Sequence, residues 1–514
     1  MRMRRCGRLA GAFLLASALA APLAWANRAN DTMVVAFQRE VVNLDYLYTT
    51  SQEHVILSDL TDDRLFDVDP KTNEIRPMLA TDYQYVDDLT IDVTLREGVH
   101  FHSGAAFTAD DVVYTYQWVL NPDSNARASG TVTRWLRSVE KLGPYKVRFH
   151  LKSIYPLALR DMARRIPIRR NGAYQVDGKD DRGAQALHPD GLGPYRVAAF
   201  QPGQRAELVR FDGYYEGSPK GRPAIGRIVT RTIPDWGTQQ AELMSGGVDW
   251  AYDMPLDVAQ SMEATGRAVR LSGSSLRLSF VVLDAAGISP NTALTDVKVR
   301  RALNYAVNRK AISEFLIGGA AEPIVAACHP LQFGCAQDVA SYPYDPAKAK
   351  ALLKEAGYDA SKPLELWAYR DRAVAEAVAA DWSAVGVNVK LRYGQLASLD
   401  QARSGGKISA YIGSWANGGT ADTAMIARVH FGDTDRNLSR NPEVAKEVMA
   451  AERTNDPAQR QAHYRKALQT IAEQAYWVPL FAYSVNYLTS PELQFPVPAD
   501  GLPRLFQASW KPAK

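Results

Sequence analysis

Hydrophobic positions along this chain follow two periods, that of an α-helix and that of a β-strand. TIDVTLREGVHF (90–101) alternates apolar and polar residues, which predicts a half-exposed strand. TDVKVRRALNYAVNRKAI (295–312) instead predicts an amphipathic helix with a basic opposite face. Its apolar stripe consists of Val299, Ala302, Leu303, Ala306 and Val307.

Two further segments carry clear helix start and stop signals. FTADDVVYTYQWVL (107–120) begins with Thr108, a residue type that caps the first free backbone N–H groups, and places carboxylates in the first turn. In YDPAKAKALLKEAGYD (344–359) Asp345 is the predicted cap, Pro346 the first helical residue and Gly357 the exit. Both segments therefore predict helices with defined ends.

Helices and apolar strands alternate along the rest of the chain. AEAVAADWSAVGVNVKL (375–391) predicts a helix, a glycine turn and a strand, and the helix of residues 460–475 precedes the apolar strand of residues 476–485. This order is typical of α/β layers with parallel or mixed sheets. The stretches 213–226 and 271–284 are candidate junctions, but neither has the composition of a flexible linker.

The first 26 residues have the three parts of a secretory signal peptide. Four arginines precede an apolar, alanine-rich run that is broken by Pro22, and Ala24-Trp25-Ala26 matches a cleavage site. We therefore expect residues 1–26 to be removed and the mature protein to be soluble and exported. Without them the 514-residue chain has 56 basic and 56 acidic residues, so the formal charge of +4 gives no indication of nucleic-acid binding.

Cys328 and Cys335 are the cysteines that remain after this cleavage. They lie close together in CHPLQFGC, and the chain is exported, so we predict one small-loop disulfide. A metal pair would need further soft ligands, and His329 alone is weak support.

The catalytic motifs that can be recognised in the sequence are each incomplete. GLGPYR (191–196) has Arg196 where a dinucleotide turn needs its third glycine, and SVEK (138–141) is not accompanied by a Lys-Thr-Gly sequence. His100 and His102 share a strand face, but no third metal ligand is evident. We expect a protein that is not an enzyme, with no metal and no cofactor.

The mature chain resembles the peptide/nickel/opine-binding family of periplasmic solute-binding proteins that serve ABC importers (family 5). The resemblance rests on eight segments in the family's order: NLDYLY (43–48), residues 75–119, GLGPYRV (191–197), YYEGSPKGRP (214–223), AELMSGGVDWAYDMP (241–255), residues 294–312, YPYDPAKAKALLKEAGY (342–358) and AYIGSWANGGTAD (410–422).

This resemblance implies a two-lobed α/β periplasmic binding protein fold of type II, in its large three-subdomain form, with crossover hinge strands. By analogy the first lobe takes residues 27–275 and 483–514, and the second lobe takes residues 276–482. It further implies closure on a ligand, docking on permease subunits in the inner membrane, a periplasmic location and a monomer.

The resemblance also implies which residues bind the ligand. In peptide-binding members the loop matching 413–422 supplies a tryptophan, here Trp415, and an aspartate that anchors the ligand's α-ammonium group. Asn417 or Gly418 stands at that acidic position here, depending on a one-residue gap, and Asp422 comes later. We expect a cleft wall without its usual ammonium anchor.

The other nominated residues come from loops that face the cleft in the family. Arg370 is the nearest match to a ligand-binding arginine and Arg372 the next. Tyr393 is a candidate second aromatic wall, and Asp253 is a candidate substitute partner for an ammonium group. The first strand-to-loop turn adds Asp45 and Tyr46.

These residues favour a carrier for a small peptide-like or modified amino-acid solute of the glutathione, opine or oligopeptide class. The alternative is a nickel or metallophore binder that uses His430 or the pair His100 and His102. A hydrolase that reuses the fold, with Ser138 as its nucleophile, is the more distant alternative.

Overall fold

The computed structural model describes residues 28–49, 51–416 and 420–512. The predicted signal peptide and Asn417 lie outside the described residues. No described helix has the length and apolar character needed to cross a membrane.

The secondary structure is mixed, as the sequence predicts. The strands, in chain order, are β1 Thr32–Phe37, β2 Phe66–Val68, β3 Ile75–Pro77, β4 Ala80–Asp87, β5 Thr90–Leu95, β6 Leu136–Gly143, β7 Lys146–Leu151, β8 Gln175–Val176, β9 Lys179–Asp180, β10 Tyr195–Gln201, β11 Arg205–Arg210, β12 Arg227–Thr232, β13 Trp250–Tyr252, β14 Val269–Leu283, β15 Glu322–Pro323, β16 Leu364–Ala368, β17 Val389–Tyr393, β18 Ala410–Ala416, β19 Trp477–Thr489, β20 Leu493–Gln494 and β21 Ser509–Trp510.

The α-helices alternate with these strands through most of the chain. They are α1 Gln52–Thr61, α2 Ala109–Leu120, α3 Ser129–Trp135, α4 Ala158–Arg164, α5 Gly183–Leu187, α6 Trp236–Ser245, α7 Leu256–Ala264, α8 Val297–Ala306, α9 Arg309–Ala311, α10 Pro346–Glu355, α11 Arg372–Ala384, α12 Leu396–Ser404, α13 Thr423–Phe431, α14 Pro442–Ala451 and α15 Pro457–Glu473.

Local signals place the helix ends well. Thr108 caps α2 in a reciprocal capping box with Asp111, and Asp345 caps α10, whose exit residue Gly357 has φ +58°. The helix expected over 295–312 is shorter than predicted, because α8 ends at Ala306. Asn308 then caps the separate helix α9, because its side chain accepts a hydrogen bond from the backbone N–H of Ala311.

One large mixed sheet runs through the described chain, and two long strands lie at its centre. Its order is β10-β11-β12-β1-β13-β19-β14-β18-β16-β17. The strands β1, β12 and β13 pair in parallel on one side, as do β16, β17 and β18 on the other. The antiparallel pair β14 and β19 joins the two groups.

The register of this central pair changes between its two halves. Residues 269–274 of β14 pair with residues 484–489 of β19, and the ladder resumes at Leu278 opposite Ala482. A β-bulge of this kind bends a strand and re-aims its side chains. The predicted lobe boundaries, 275/276 and 482/483, fall at this irregularity and stay a prediction; below, the terms first lobe and second lobe refer to these ranges.

A separate four-stranded antiparallel sheet, in the order β4-β5-β7-β6, forms a further unit within the first lobe. Helices α2, α3 and α4 contribute to its own hydrophobic core, which includes Val93, Tyr116 and Phe149. This independent core is the physical basis of a third subdomain beside the two halves of the large sheet.

Cys328 and Cys335 form the predicted disulfide, with their Cα atoms 5.7 Å apart. The enclosed loop contacts the segment before α13, because the backbone N–H of Phe333 donates to the carbonyl oxygen of Ala421 at 3.0 Å. The bond therefore restrains a loop that packs beside residues 420–422.

We expect the double substitution Cys328→Ala and Cys335→Ala to lower the free energy of unfolding by on the order of 2–3 kcal/mol, because a closed loop this short restricts the unfolded chain modestly. Urea denaturation of the mature protein measures this difference. Intact mass after alkylation provides the control: two labelled thiols in the native, non-reduced protein would contradict the pairing.

Candidate functional site

A cavity of about 590 Å³ lies where the central strands change register. Residues of β14 and β19 line it on one side, and residues of the first loops of the chain line it on the other. Its walls include Gln38, Arg39, Tyr46, Ser51, Gln52, Glu53, Arg64, Trp236, Tyr252, Asp253, Ser275, Leu276, Arg277, Arg370, Ala416, Tyr483, Ser484, Val485 and Gly501. Residues of both predicted lobes therefore line one cavity.

A larger groove of about 980 Å³ lies elsewhere, along α14 and the start of α15. It is open to solvent, and second-lobe residues such as Asn441, Met449 and Arg453 line it. We take the smaller cavity as the candidate site, because residues of both predicted lobes line it, whereas the larger groove is lined by second-lobe residues alone.

Among the arginines that line the cavity, Arg39 and Arg277 have no carboxylate partner among the described residues, whereas Arg370 is paired with Asp371. In the described part of the chain the guanidinium groups of Arg39 and Arg277 have neither an ion pair nor a hydrogen bond. Arg370 donates to the Ser414 hydroxyl at 2.9 Å and to Asp371 at 3.0 Å. A guanidinium group suits a carboxylate, which it can bind through two parallel hydrogen bonds.

Other arginines at the same cavity are already neutralised. Arg64 pairs with Asp59 at 2.9 Å, and Arg164 pairs with Asp500 at 3.0 Å. The positive charge without a carboxylate partner is therefore that of Arg39 and Arg277, whereas Arg370 reaches the cavity already paired with Asp371.

Asp253 and Glu53 bring negative charge to the same cavity. Asp253 follows β13 with φ +56°, a left-handed conformation that Asp tolerates better than most residues. It lines the cavity, where partial loss of hydration by the surrounding protein raises the pKa of its carboxyl group, while Arg277, Arg39 and Arg370 act in the opposite direction. Glu53 lies in the first turn of α1 and accepts a hydrogen bond from the Tyr252 hydroxyl at 2.8 Å.

Of the residues nominated from sequence, Arg370, Asp253 and Tyr46 line this cavity. The guanidinium carbon of Arg64 lies over the ring of Tyr46, 5.4 Å from the ring centroid. Arg372, the other candidate for the ligand-binding arginine, does not line the cavity and forms an exposed ion pair with Glu376. Position thus separates the two arginines, and ligand binding by Arg370 stays a prediction.

Asp45 is corrected from a ligand contact to a structural residue. It is fully buried, and its two carboxylate oxygens accept hydrogen bonds from Arg169 at 2.9 Å and from the Tyr174 hydroxyl at 2.6 Å. The backbone N–H of Leu47 adds a third bond at 3.1 Å. A carboxylate bonded in this way presents no surface to a solute.

Tyr393 is also placed away from the cavity. It ends β17 at the edge of the large sheet, its side chain is exposed, and the guanidinium carbon of Arg372 lies 5.7 Å from its ring centroid. An aromatic wall at this position would not face the 590 Å³ cavity.

Trp415 lies next to the cavity and is half-buried. Its neighbour Ala416 lines the cavity, whereas the indole contacts the His430 ring edge-on, with centroids 5.6 Å apart. Successive strand residues point to opposite faces of a sheet, which explains the difference between the two. A role in ligand binding stays a prediction for Trp415, and its contact with the second-lobe core gives it a structural role as well.

The histidines considered for a metal are engaged elsewhere. His430 is buried among Phe280, Trp415 and Trp477, and burial, reinforced by Arg436 and Arg403, lowers the pKa of its imidazole to about 3. His102 bonds the carbonyl oxygen of Gly193. Across the described residues no three His, Cys, Asp or Glu side chains are grouped so that they could hold a metal ion.

Sequence reasoning missed Glu53, Arg39 and Arg277. An acidic residue in the first turn of a helix is common because it suits the helix dipole, so the pattern did not single out Glu53. Arg277 lies in an ordinary strand pattern, and only the register change of β14 places it at the cavity.

The comparisons with known proteins agree on one family. Residues 74–437 match the family model of bacterial extracellular solute-binding proteins, family 5 Middle. The glutathione-binding protein GsiB of Salmonella paratyphi A is 28% identical over 434 residues, covering 81% of this chain and 82% of the relative.

Solved structures show the same fold. HbpA2 from Haemophilus parasuis has a TM-score of 0.83 at 24% identity and covers 93% of this chain and 100% of that chain. NikZ from Campylobacter jejuni, solved in complex with Ni(L-His), has a TM-score of 0.71 at 21% identity and covers 93% and 99%.

We expect acid to destabilise the protein through His430. Its folded-state pKa of about 3 lies below the ordinary value of 6.5, so the unfolded chain binds more protons as the pH falls from 6.5 towards 3. The free energy of unfolding should therefore decrease over that range. His430→Met, which keeps an apolar volume, should flatten the decrease, as measured by urea denaturation at pH 7 and pH 5.

His188→Met is the matched control, because His188 is exposed. It should keep the wild-type pH dependence, and an equal flattening in both variants would contradict the assignment. The remaining slope in His430→Met is expected from His329, whose pKa burial lowers to about 4, and from His54 and His102, whose pKa values burial also lowers.

Proposed function

Because the chain belongs to the bacterial extracellular solute-binding proteins of family 5, we propose that it captures a small, zwitterionic peptide-like solute of the glutathione class and delivers it to an ABC permease. Solute-binding proteins of this family are transport components and not enzymes. The proposal for this chain concerns the class of solute, the permease partner, the periplasmic location and the monomeric state.

The arrangement of charges in the cavity is the observation that supports this class of solute. Arg39, Arg277 and Arg370 can receive carboxylates, and Asp253 lies within their electrostatic reach as a negative partner. A solute with two carboxylates and one ammonium group matches this set, and glutathione is such a solute. An ordinary dipeptide has a single carboxylate and would leave one of these guanidinium groups without a carboxylate to bind.

Two further observations support the proposal. A cavity of about 590 Å³ is in the range of about 300–1,000 Å³ that small-molecule clefts occupy. The relative named glutathione-binding protein GsiB is similar over four fifths of both chains.

A nickel or metallophore carrier remains the second candidate, since NikZ with its bound Ni(L-His) shares the fold. A histidine chelate also carries carboxylates that arginines could bind. The metal itself would have to arrive with its chelator, because the described residues offer no cluster of metal ligands.

Contacts between the lobes indicate how binding could be coupled to closure. The side-chain amide of Asn73 donates to the carbonyl oxygen of Ala421 at 2.6 Å, and its oxygen accepts from Arg160 at 2.8 Å. Arg160 also lies 3.7 Å from Asp422 in the second lobe. These contacts exist only while the lobes lie together, so they favour a closed form.

We expect glutathione to bind the mature protein with a dissociation constant in the micromolar range or below. Such binding should raise the melting temperature, since a ligand at 100 times its dissociation constant stabilises the folded state by about 2.7 kcal/mol. A thermal-shift screen with glutathione, dialanine, nickel and nickel-histidine, followed by calorimetry, tests this. A larger shift with dialanine would overturn the solute class, and a larger shift with nickel-histidine would favour the second candidate.

We expect Asn73→Gly to weaken glutathione binding about tenfold, because it removes hydrogen bonds worth about 0.5–1.5 kcal/mol each from the closed form. Glycine preserves the left-handed backbone of this residue, which has φ +61°. Asn125→Gly is the matched control: Asn125 has φ +51°, is exposed and bonds within its own turn. Equal affinities for both variants would contradict a role of Asn73 in closure.

A further inference from the structure

Glu53 is a buried carboxylate that is only half satisfied. It is 2% exposed, yet it is among the residues that line the cavity. The Tyr252 hydroxyl donates to its Oε1 atom at 2.8 Å. Its Oε2 atom is buried without a hydrogen-bond partner among the described residues.

An unpaired, buried carboxylate oxygen is costly, since it has lost its water without gaining a donor. Buried polar atoms are nearly always paired, so an exception at the wall of a cavity indicates a donor that is supplied from outside the chain. Arg39 and Arg277 also face the cavity, but neither forms an ion pair with Glu53 in the described structure. A solute in the cavity is in a position to supply this donor.

Asp253 places a second carboxylate near the first. Tyr252 ends β13, and Asp253 follows it with a left-handed backbone and lines the cavity. The charges of Glu53 and Asp253 affect one another, which indicates that they share one region of the cavity. A primary ammonium group has three donors and can bond both carboxylates at once.

The second-lobe loop cannot supply this anchor. Residues 413–422 contain a single acid, Asp422, and it is fully buried at the cap of α13. Arg460 holds both of its oxygens, at 3.0 and 3.1 Å. An ammonium anchor has to come from another part of the chain.

We propose that Glu53, held by Tyr252 and assisted by Asp253, binds the primary ammonium group of the solute. The site is thus built on the first lobe, on α1 and at the end of β13. This inference rests on the proposed function, because it assigns the ammonium end of a solute whose carboxylates contact the arginines.

The test compares glutathione with its des-amino analogue, glutaryl-cysteinylglycine, by calorimetry on the mature protein. We expect the wild type to prefer glutathione by on the order of a hundredfold, the size of effect that a buried charged contact produces. In Glu53→Gln the preference should fall to nearly one, mainly through weaker glutathione binding, while the affinity for the analogue changes about threefold or less.

Asp257→Asn is the matched control. Asp257 likewise lies in the first turn of a helix, α7, but it is exposed and is not among the residues that line the cavity. It removes the same charge, and we expect it to keep the preference for glutathione. A melting curve is the second readout: Glu53→Gln should melt at or above the wild-type temperature, because it removes a buried carboxylate with an unpaired oxygen.

The outcomes separate the two proposals. If the wild type binds glutathione and Glu53→Gln keeps the hundredfold preference, the ammonium site is wrong and the proposed function stands. If Glu53→Gln weakens both ligands equally or melts at a lower temperature, Glu53 is structural and the ammonium site is again wrong. If the wild type binds neither ligand at millimolar concentration, the proposed function fails, and the ammonium site falls with it.

Discussion

The antiparallel pair of β14 and β19 is the constraint on which the rest of the structure depends. Both strands run from one group of parallel strands to the other, so the backbone hydrogen bonds between them hold the two halves of the large sheet together. The ladder changes register between Ser274 and Leu278, and residues 275–277 of this stretch line the cavity together with residues 483–485 of β19. The site exists because the two strands cannot continue a single register across both lobes.

Buried ion pairs hold the walls of the cavity in place. Fully buried Arg169 bonds Asp45 at 2.9 Å and Asp62 at 2.6 Å, so it ties the first loop to the segment after α1. Losing one partner of such a group is strongly destabilising, since the other charge would remain buried without compensation. In these pairs each charged group has a partner of opposite charge. Glu53, Arg39 and Arg277 differ, because at the cavity they have side-chain atoms without an ion-pair partner among the described residues. The contrast between paired and unpaired charge locates the binding surface.

The alternatives raised by the sequence concern side chains that the fold uses in other ways. His430 has the residue type of a metal ligand, but it packs among aromatic rings of the second-lobe core, with its pKa lowered by burial. Asp422 has the residue type of an ammonium anchor, but Arg460 occupies it. In both cases the neighbours, and not the residue type, determine what the side chain can do.

The sequence by itself determined the local features of the structure. The caps at Thr108 and Asp345, the buried stripe of α8 and the disulfide between Cys328 and Cys335 all follow from residues close together in the chain, where propensity and periodicity act directly. The residues that meet at the cavity are hundreds of positions apart, and their contact depends on strand pairing. Sequence alone therefore nominated Arg370 and Asp253 through resemblance, but only the tertiary structure brought Glu53 and Arg277 to the same cavity, because their patterns match those of ordinary helix and strand residues.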